Sequence, residues 1–379
     1  MKKIALIGST GSIGKQTLSV VRRHSDKFKI VSLAAGNNVG EFLSQVKEFA
    51  PKVATLSFEP KDLKDGMPTG TEYFFGEDAF TNAIVNDADI VVVALVGFKG
   101  IIAVLDAIEK GKDIALANKE SLVVGGELVM QKAKEKGVNI YPVDSEHSAV
   151  WQALGCDYKT PFNKIILTCS GGAFRDFSKE QLKCATAQDA LRHPNWKMGA
   201  KITIDCATVV NKAFEVMEAK WLYNTSFDKI DVIIHRESII HSMVETVDGA
   251  VLAQMSYPDM ELPIQLALSY PERLNTDIKS LDFAAIKKLS FEELDRDRFP
   301  CFDLVVTAGK QGDGFPAVAN GANEQAVELF LKGVIGFNDI YKGIYGAMQA
   351  FEGEHHLNIE ALTEADAFAR RYVKDLFGV

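Results

Sequence analysis

The first part of the chain alternates short apolar runs with amphipathic helical stretches, and this alternation limits the fold more than any other feature. Apolar runs occur at 4–7, 29–35, 88–96, 113–117 and 138–141, with helical patterns at 13–21, 41–49, 101–110 and 127–136. The run ADIVVVALV at 88–96 is too apolar for a half-exposed strand and suits the middle of a parallel sheet. Strands that alternate with helices predict a doubly wound α/β sheet.

The pattern changes after residue 143. Strand-like runs at 164–168, 201–205, 231–235, 239–246 and 250–256 are mixed with helices and glycine-rich loops, which predicts a second α/β domain with a mixed or antiparallel sheet. Beyond residue 300 only helical patterns remain, as at 323–331, 338–350 and 363–376, and these predict a small helical bundle. The predicted division is therefore 1–143, 144–270, a surface linker at 271–299, and 300–379.

Composition narrows the class of protein. A length of 379 residues predicts more than one domain, and a net charge of −9 argues against nucleic acid as the main partner. The five cysteines, at 156, 169, 184, 206 and 301, contain no CxxC pair, so we expect reduced thiols and no zinc site. The N-terminal apolar run is too short for a signal peptide, and no run reaches a membrane span. We expect a cytoplasmic protein that does not bind membranes.

A glycine-rich stretch, GSTGSIG at 8–14, follows the first predicted strand and opens the first predicted helix. This context places a dinucleotide pyrophosphate on a helix N-terminus, although the same spacing also occurs in a purely structural turn. The second strand ends in Ala34-Ala-Gly36-Asn37-Asn38, without the acid that would bind a ribose 2′-hydroxyl. The missing acid favours NADP over NAD.

Two acids and a histidine, Asp144, Glu146 and His147, follow another predicted strand in the stretch PVDSEHSA. Acids separated by one residue face the same side of an extended backbone. They could form a metal site, an acid/base pair, or two solvated groups in a turn. Asn118 and Lys119, in ANKES, also follow a strand, and we expect both stretches to meet in one crevice at the carboxyl edge of the sheet.

Three later stretches carry further polar candidates. Ser170 lies in LTCSGG after a strand, and Trp196 lies in the loop HPNWKMG, whose composition suits a lid that excludes water. We expect a helix to begin near Cys206, with Asn211 and Glu215 four residues apart on one face. Lys212 and the helix N-terminus could then attract phosphate, and Glu215 could reach a cation. An exposed helix face with a Lys–Glu pair is the alternative.

Taken in order, GSTGSIG, LANKES, PVDSEH, SGG, HPNWKMG, NK-x-x-E and IHSMVE resemble the 1-deoxy-D-xylulose 5-phosphate reductoisomerase family along the whole chain. The resemblance implies conversion of 1-deoxy-D-xylulose 5-phosphate to 2-C-methyl-D-erythritol 4-phosphate, in the non-mevalonate route to isoprenoids. It implies NADPH, Mg²⁺ or Mn²⁺, and a homodimer. The expected domains are an N-terminal Rossmann-like NADPH-binding domain, a central α/β catalytic domain with metal site and flap, and a C-terminal helical bundle.

The resemblance also implies roles for single residues. The metal ligands would be Asp144, Glu146 and Glu215, and the catalytic set would add Lys119, His147 and His241. The remaining substrate contacts would be Ser145, Ser170, His193, Trp196, Cys206, Asn211 and Lys212. The cofactor-binding residues would be Thr10, Gly11, Ser12, Ile13, Gly36, Asn37, Asn38, Asn118, Glu120, Met198 and Gly199.

Two positions depart from the family pattern. Position 206 is Cys where the family usually has a phosphate-binding Ser, and position 37 is Asn where several relatives have Lys or Ser near the 2′-phosphate. Two other classes of protein remain as alternatives. A semialdehyde-type NADP oxidoreductase would need a catalytic Cys–His pair, and a dinucleotide sensor would need neither a cation site nor a lid.

Overall fold

The computed structural model describes residues 1–60, 67–192, 195, 196, 198–353 and 358–379. The chain forms two compact units. The first comprises Met1–Asn118, Val129–Ser145 and Asp259–Asp277, and the second comprises Lys119–Leu128, Glu146–Pro258 and Ile278–Val379. In the described part of the chain, no helix is both long and apolar enough to cross a membrane.

The strands of the two units fall into two sheets. In chain order the strands are β1 (Lys2–Ile7), β2 (Phe28–Ala35), β3 (Val53–Leu56), β4 (Glu72–Phe75), β5 (Ile90–Val93), β6 (Asp113–Leu116), β7 (Ile140–Pro142), β8 (Phe162–Cys169), β9 (Ile230–Ile234), β10 (Ile240–Thr246) and β11 (Val251–Met255).

The helices account for most of the remaining regular structure. They are α1 (Ser12–Arg23), α2 (Val39–Phe49), α3 (Gly100–Glu109), α4 (Glu120–Lys136), α5 (Ser145–Ala153), α6 (Lys179–Lys183), α7 (Ala187–Ala190), α8 (Ala200–Ala207), α9 (Val210–Leu222), α10 (Glu261–Ser269), α11 (Phe283–Ile286), α12 (Cys301–Gln311), α13 (Phe315–Leu331), α14 (Asp339–Ala350) and α15 (Ile359–Phe377). Short 3-10 helices cover Glu77–Ala83 and Phe227–Lys229.

The first unit contains a seven-stranded sheet with the order β4-β3-β2-β1-β5-β6-β7. All six strand pairs are parallel. The strand order reverses between β1 and β5, and ligands of doubly wound sheets bind beyond the carboxyl ends of the strands at such a point. The predicted Rossmann-like sheet is therefore confirmed. Strands β3 and β4 were not predicted.

Helix α10 completes the core of the first unit, although it comes late in the sequence. Ile264 and Leu268 are fully buried with Leu18 of α1 in one hydrophobic cluster. Arg23, at the end of α1, adds ion pairs of 2.6 Å to Glu261 and 2.8 Å to Asp277.

The second unit contains a mixed sheet with the order β11-β10-β8-β9. Strand β8 pairs antiparallel with β10 and parallel with β9, and β10 pairs antiparallel with β11. The predicted mixed sheet and the C-terminal helices are confirmed. Within the stretch expected to be a linker, α11 forms and Glu292 makes an antiparallel bridge to Ile234. The division at residues 144, 271 and 300 stays a prediction.

Three local predictions were wrong. The expected strand at 201–205 is helical and belongs to α8. The helix expected to begin near Cys206 begins instead at Val210, because α8 ends at Ala207 and Val209 takes a left-handed conformation with φ 64°. Asp144 and Glu146 do not lie on one extended segment, since α5 begins at Ser145. The two acids approach each other across the start of a helix.

Candidate active site

The glycine-rich loop of the first unit offers free backbone donors. The N–H groups of Gly8 and Ser9 both donate to the carbonyl oxygen of Ala34, at 2.8 and 2.9 Å, which holds the loop on β2. Helix α1 then begins at Ser12, without a side-chain cap and without an acid in its first turn. Among the described residues, the N–H groups of Thr10, Ser12 and Ile13 have no hydrogen-bond partner. Donors of this kind fit a pyrophosphate.

Two glycines make this loop possible. Gly8 has φ 94°, and a Cβ placed on it would lie 2.4 Å from the carbonyl oxygen of Ala94. A Cβ on Gly14 would lie 2.3 Å from the carbonyl oxygen of Gly8. Only glycine allows α1 to pack this closely under the turn. These backbone contacts fit a dinucleotide-binding loop.

The other predicted cofactor residues of the first unit differ in exposure. Gly36, Asn37 and Asn38 follow β2, and the two asparagines are exposed. The Asn38 side chain accepts a hydrogen bond from the Glu41 N–H and so caps α2. Asn118 is fully buried and its amide donates to the carbonyl oxygens of Leu95 (3.1 Å) and Gly97 (3.0 Å). Asn118 therefore braces the loop that follows β5.

Three carboxylates come together as a possible cation site. Asp144, Glu146 and Glu215 each offer an oxygen, and these oxygens all lie within 4.8 Å of one another. Asp144 and Glu215 are buried, the latter 1% exposed. Carboxylate oxygens are the ligands that Mg²⁺ and Mn²⁺ prefer. Buried like charges repel unless cations compensate them, so the donor set fits a divalent cation.

Two lysines and an amide surround these carboxylates. The Nζ of Lys119 lies 2.9 Å from Glu215 Oε1 and 2.8 Å from Asn211 Oδ1. The Nζ of Lys212 lies 3.0 Å from Glu146 Oε1 and also contacts Glu215. Burial alone would lower the pKa of Lys212, but the charges of Glu146 and Glu215 raise it, so the lysine stays protonated. The cluster thus brings together residues of ANKES, PVDSEHSA and α9, and their roles in binding stay a prediction.

The two predicted histidines have defined neighbours. His147 is fully buried, and its Nε2 lies 3.1 Å from Oε2 of Glu218, which is also buried. The Nε2 of His241 lies 3.0 Å from the Ser256 hydroxyl, and its ring lies edge-on to Trp196 with the centroids 6.1 Å apart. Glu218 was missed from the sequence. Its position three residues after Glu215 on α9 is the signal that could have found it.

The loop that the sequence predicted to be a lid is described only in part, and His193 lies outside the described residues. Asn195 donates to the Arg236 carbonyl oxygen and to the Ser238 hydroxyl, both at 2.7 Å. Trp196 and Met198 are half-buried, whereas Gly199 is exposed where α8 begins. Movement of this loop stays a prediction.

The predicted phosphate-binding residues lie on two segments. The Ser170 hydroxyl accepts a hydrogen bond from the Gly172 N–H at 3.2 Å, and a Cβ on Gly172 would lie 2.3 Å from the Cys206 carbonyl oxygen. The turn at Ser170 therefore packs against the backbone of Cys206. Asn211 and Lys212 occupy the first turn of α9, whereas Cys206 is in the last turn of α8.

The environment of Cys206 disfavours the thiolate form. A helix N-terminus lowers the pKa of a thiol, but this residue lies at the opposite end of its helix. Burial raises the pKa of the Cys206 thiol well above its usual value, and Cys169 and Glu215 raise it further. The thiol is therefore protonated at neutral pH.

A second charged cluster was also missed. The Nζ of Lys201 lies 2.8 Å from Glu120 and 2.8 Å from Asp205, and the Asn323 amide donates to Asp205 at 2.9 Å. Burial raises the pKa of Asp205 in spite of this lysine. Burial also acts to raise the pKa of Glu120, but the charge and hydrogen bond of Lys201 lower it overall. Lys201 thus fixes the side chain of Glu120, which follows Lys119 in the sequence and begins α4.

Comparisons with known proteins agree with this architecture. A family model described as 1-deoxy-D-xylulose 5-phosphate reductoisomerase matches residues 4–126, and two C-terminal models of the same enzyme match residues 140–223 and 255–372. A reductoisomerase from Geobacillus sp. (strain WCH70) is 47% identical over 99% of this chain and 100% of its own length. One from Synechocystis sp. is 46% identical over 98% of this chain and 97% of its own.

Solved structures are similar over the same extent. The Zymomonas mobilis reductoisomerase in complex with NADPH has a TM-score of 0.92 and 37% identity, and covers 99% of both chains. A reductoisomerase with NADPH, fosmidomycin and magnesium has a TM-score of 0.92 and 36% identity, over 100% of this chain and 98% of its own. With the fold and the carboxylate cluster, these likenesses show that the chain belongs to the 1-deoxy-D-xylulose 5-phosphate reductoisomerase family.

Proposed function

We propose that the carboxylate–lysine cluster and the glycine-rich loop carry out the family reaction. The chain is an NADP-dependent oxidoreductase that rearranges and reduces 1-deoxy-D-xylulose 5-phosphate to 2-C-methyl-D-erythritol 4-phosphate, with NADPH and a divalent cation. The observation that carries the assignment is the set of three carboxylates whose oxygens lie within 4.8 Å of one another. Lys119 and Lys212 form ion pairs with carboxylates of this set.

The cation would be held by Asp144, Glu146 and Glu215. Bound there, Mg²⁺ or Mn²⁺ supplies Lewis-acid stabilisation of charge on the substrate oxygens during the rearrangement. Lys119 is 9% exposed at its side chain and is fixed by Glu215 and Asn211. An ammonium group held in this way would donate hydrogen bonds to substrate oxygens without having to reorganise first.

The substrate phosphate is assigned to the segments around Ser170 and α9. Asn211, Lys212, Ser145, Cys206 and His193 complete this assignment, which rests on the resemblance. Lys212 supplies a charge that remains positive, because Glu146 and Glu215 raise its pKa. Trp196 would cover the substrate and exclude water, with His241 against its ring.

The cofactor is assigned to the first unit. The free N–H groups of Thr10, Ser12 and Ile13 would hold the pyrophosphate, and the exposed Asn37 and Asn38 would face the 2′-phosphate. Gly11, Gly36, Asn118, Glu120, Met198 and Gly199 complete the proposed contacts. NADPH supplies the hydride that reduces the rearranged aldehyde.

We also propose that the enzyme is a cytoplasmic homodimer. All five cysteines are free thiols, which suits a reducing compartment. Strand β11 is an edge of its sheet, and its Val251 and Leu252 are 50% and 46% exposed. An exposed apolar edge favours pairing with a second copy. Light scattering should give twice the chain mass of 41.6 kDa, and Leu252→Lys should reduce it.

The enzymatic assay follows NADPH absorbance after addition of 1-deoxy-D-xylulose 5-phosphate. Oxidation is expected with Mg²⁺ or Mn²⁺ and should stop when a chelator is added, and mass spectrometry and NMR should identify the rearranged alcohol. A folded protein that binds NADPH but does not oxidise it under these conditions would behave as a sensor. Oxidation without the change in carbon skeleton would indicate a simple dehydrogenase. Either result would overturn the proposal.

A further inference from the structure

A buried amide on α2 reaches the glycine-rich loop. Gln45 is 2% exposed, and its Nε2 donates to the carbonyl oxygen of Ser9 at 3.1 Å and to Oε1 of Glu41 at 3.1 Å. Both partners are acceptors, so the amide nitrogen must face them. Its own oxygen is buried and has no partner among the described residues.

An apolar side chain would suit this position better if packing were its only role. The neighbouring Phe42 and Val46 on α2 are completely buried. Burying an amide with one end unsatisfied is unfavourable. The hydrogen bond to Ser9 is therefore the feature that distinguishes Gln45 from its apolar neighbours.

That hydrogen bond fixes one peptide plane. The Ser9 N–H is held by Ala34, and its carbonyl oxygen is held by Gln45. In a planar trans peptide the carbonyl and the following N–H point in opposite directions. The Thr10 N–H, which has no partner among the described residues, must then point away from α2.

We infer that Gln45 is a positioning residue for the dinucleotide, which orients the Thr10 N–H toward the pyrophosphate through the Ser9 carbonyl. The inference rests on the cofactor assignment proposed above. Without the Gln45 donor, the buried Ser9 carbonyl loses its partner, and rotation of the Ser9–Thr10 peptide would turn the Thr10 N–H out of the site.

The test is Gln45→Met, which keeps a similar volume but has no donor, with Gln45→Leu as the substitute if the Met protein does not fold. The matched control is Gln265→Met. Gln265 is 4% exposed in the same unit, and its Nε2 donates to the Leu274 carbonyl oxygen at 2.9 Å. Dissociation constants for NADPH and NADH are measured by fluorescence, and kcat is measured at saturating NADPH.

Loss of one hydrogen bond of about 1 kcal/mol corresponds to roughly fivefold weaker binding. We expect this factor for both NADPH and NADH, because both contain the pyrophosphate, with kcat and the Michaelis constant for the sugar phosphate unchanged. Gln265→Met should leave both constants unchanged, even if it lowers the melting temperature. Wild-type affinity in Gln45→Met, equal weakening in the control, or a loss confined to NADPH would overturn the inference. Wild-type protein that does not bind NADPH would instead refute the proposed function.

Discussion

Replacing Lys201 by Met tests whether the second charged cluster holds the second unit together. The lysine side chain is 19% exposed and forms ion pairs with Glu120 and Asp205, which are 8% and 2% exposed at their side chains. Removing one partner of a buried ion pair costs about 3–5 kcal/mol, because the other charge is left uncompensated. A loss of that size lowers the melting temperature by roughly 6–20 °C in a unit of 225 residues.

The loss should depend on pH. Without the lysine, burial will raise the folded-state pKa of Asp205 further, and will raise that of Glu120 as well. A group with a raised folded-state pKa stabilises the fold at low pH, and this contribution is lost as the pH rises through that value. The deficit should thus be small near pH 4, about the unfolded carboxyl pKa, and should grow toward neutral pH.

The assay is thermal unfolding followed by circular dichroism at several pH values between 4 and 8. The control is Lys332→Met, since Lys332 is 61% exposed and pairs with Glu328 on the surface. Such a pair contributes less than about 1 kcal/mol. A Lys201→Met protein as stable as the control at pH 7.5, or a loss of stability that is independent of pH, would refute this role of Lys201.

Glu215→Gln should weaken Mn²⁺ binding, measured by electron paramagnetic resonance, and remove turnover while NADPH still binds; near-normal turnover would contradict the metal assignment. Cys206 should react with iodoacetamide more slowly than the exposed Cys184 at pH 7.5, because burial raises the Cys206 pKa. Mass spectrometry at timed intervals measures the alkylation rate of each cysteine. Equal rates would contradict a raised thiol pKa at Cys206. Gly14→Ala should lower the free energy of unfolding by about 1–3 kcal/mol and weaken NADPH binding. The added Cβ would lie 2.3 Å from the Gly8 carbonyl oxygen, so the loop would have to move. Unchanged NADPH affinity in a fluorescence titration would contradict this prediction.

The first sheet was predictable because its central strands are apolar on both faces and lie between amphipathic helices. Strands β3 and β4 were missed because neither lies within a longer apolar run, as β5 does at 88–96, and because β4 is an edge strand that is only partly buried. Helix α8 was mistaken for a strand because Ile202, Thr203 and Ile204 are β-branched. Packing overrides that preference, since Thr203, Ile204 and Asp205 are buried in the folded helix.

The candidate site was predictable to the extent that its residues occur in recognisable stretches. The spacing of Asp144 and Glu146 was compatible with a metal site, an acid/base pair or a solvated turn. Only the resemblance to the family implied that they are metal ligands. The charge partners Lys201 and Asn323 were not predictable, because their relation to the site depends on contacts between distant segments. Spacing on a helix could have suggested Glu218 only after the inward face of α9 was known.

The place of α10 in the first unit has a consequence for how the protein is made. During synthesis, strands β1 to β7 leave the ribosome long before α10 (Glu261–Ser269). Leu18 therefore lacks its α10 contacts while more than a hundred further residues are added. A gene fragment that stops at residue 143 would reproduce this exposed intermediate permanently, without the partners of Arg23. A soluble N-terminal fragment for nucleotide-binding studies should therefore be co-expressed with, or fused through a linker to, residues 259–277.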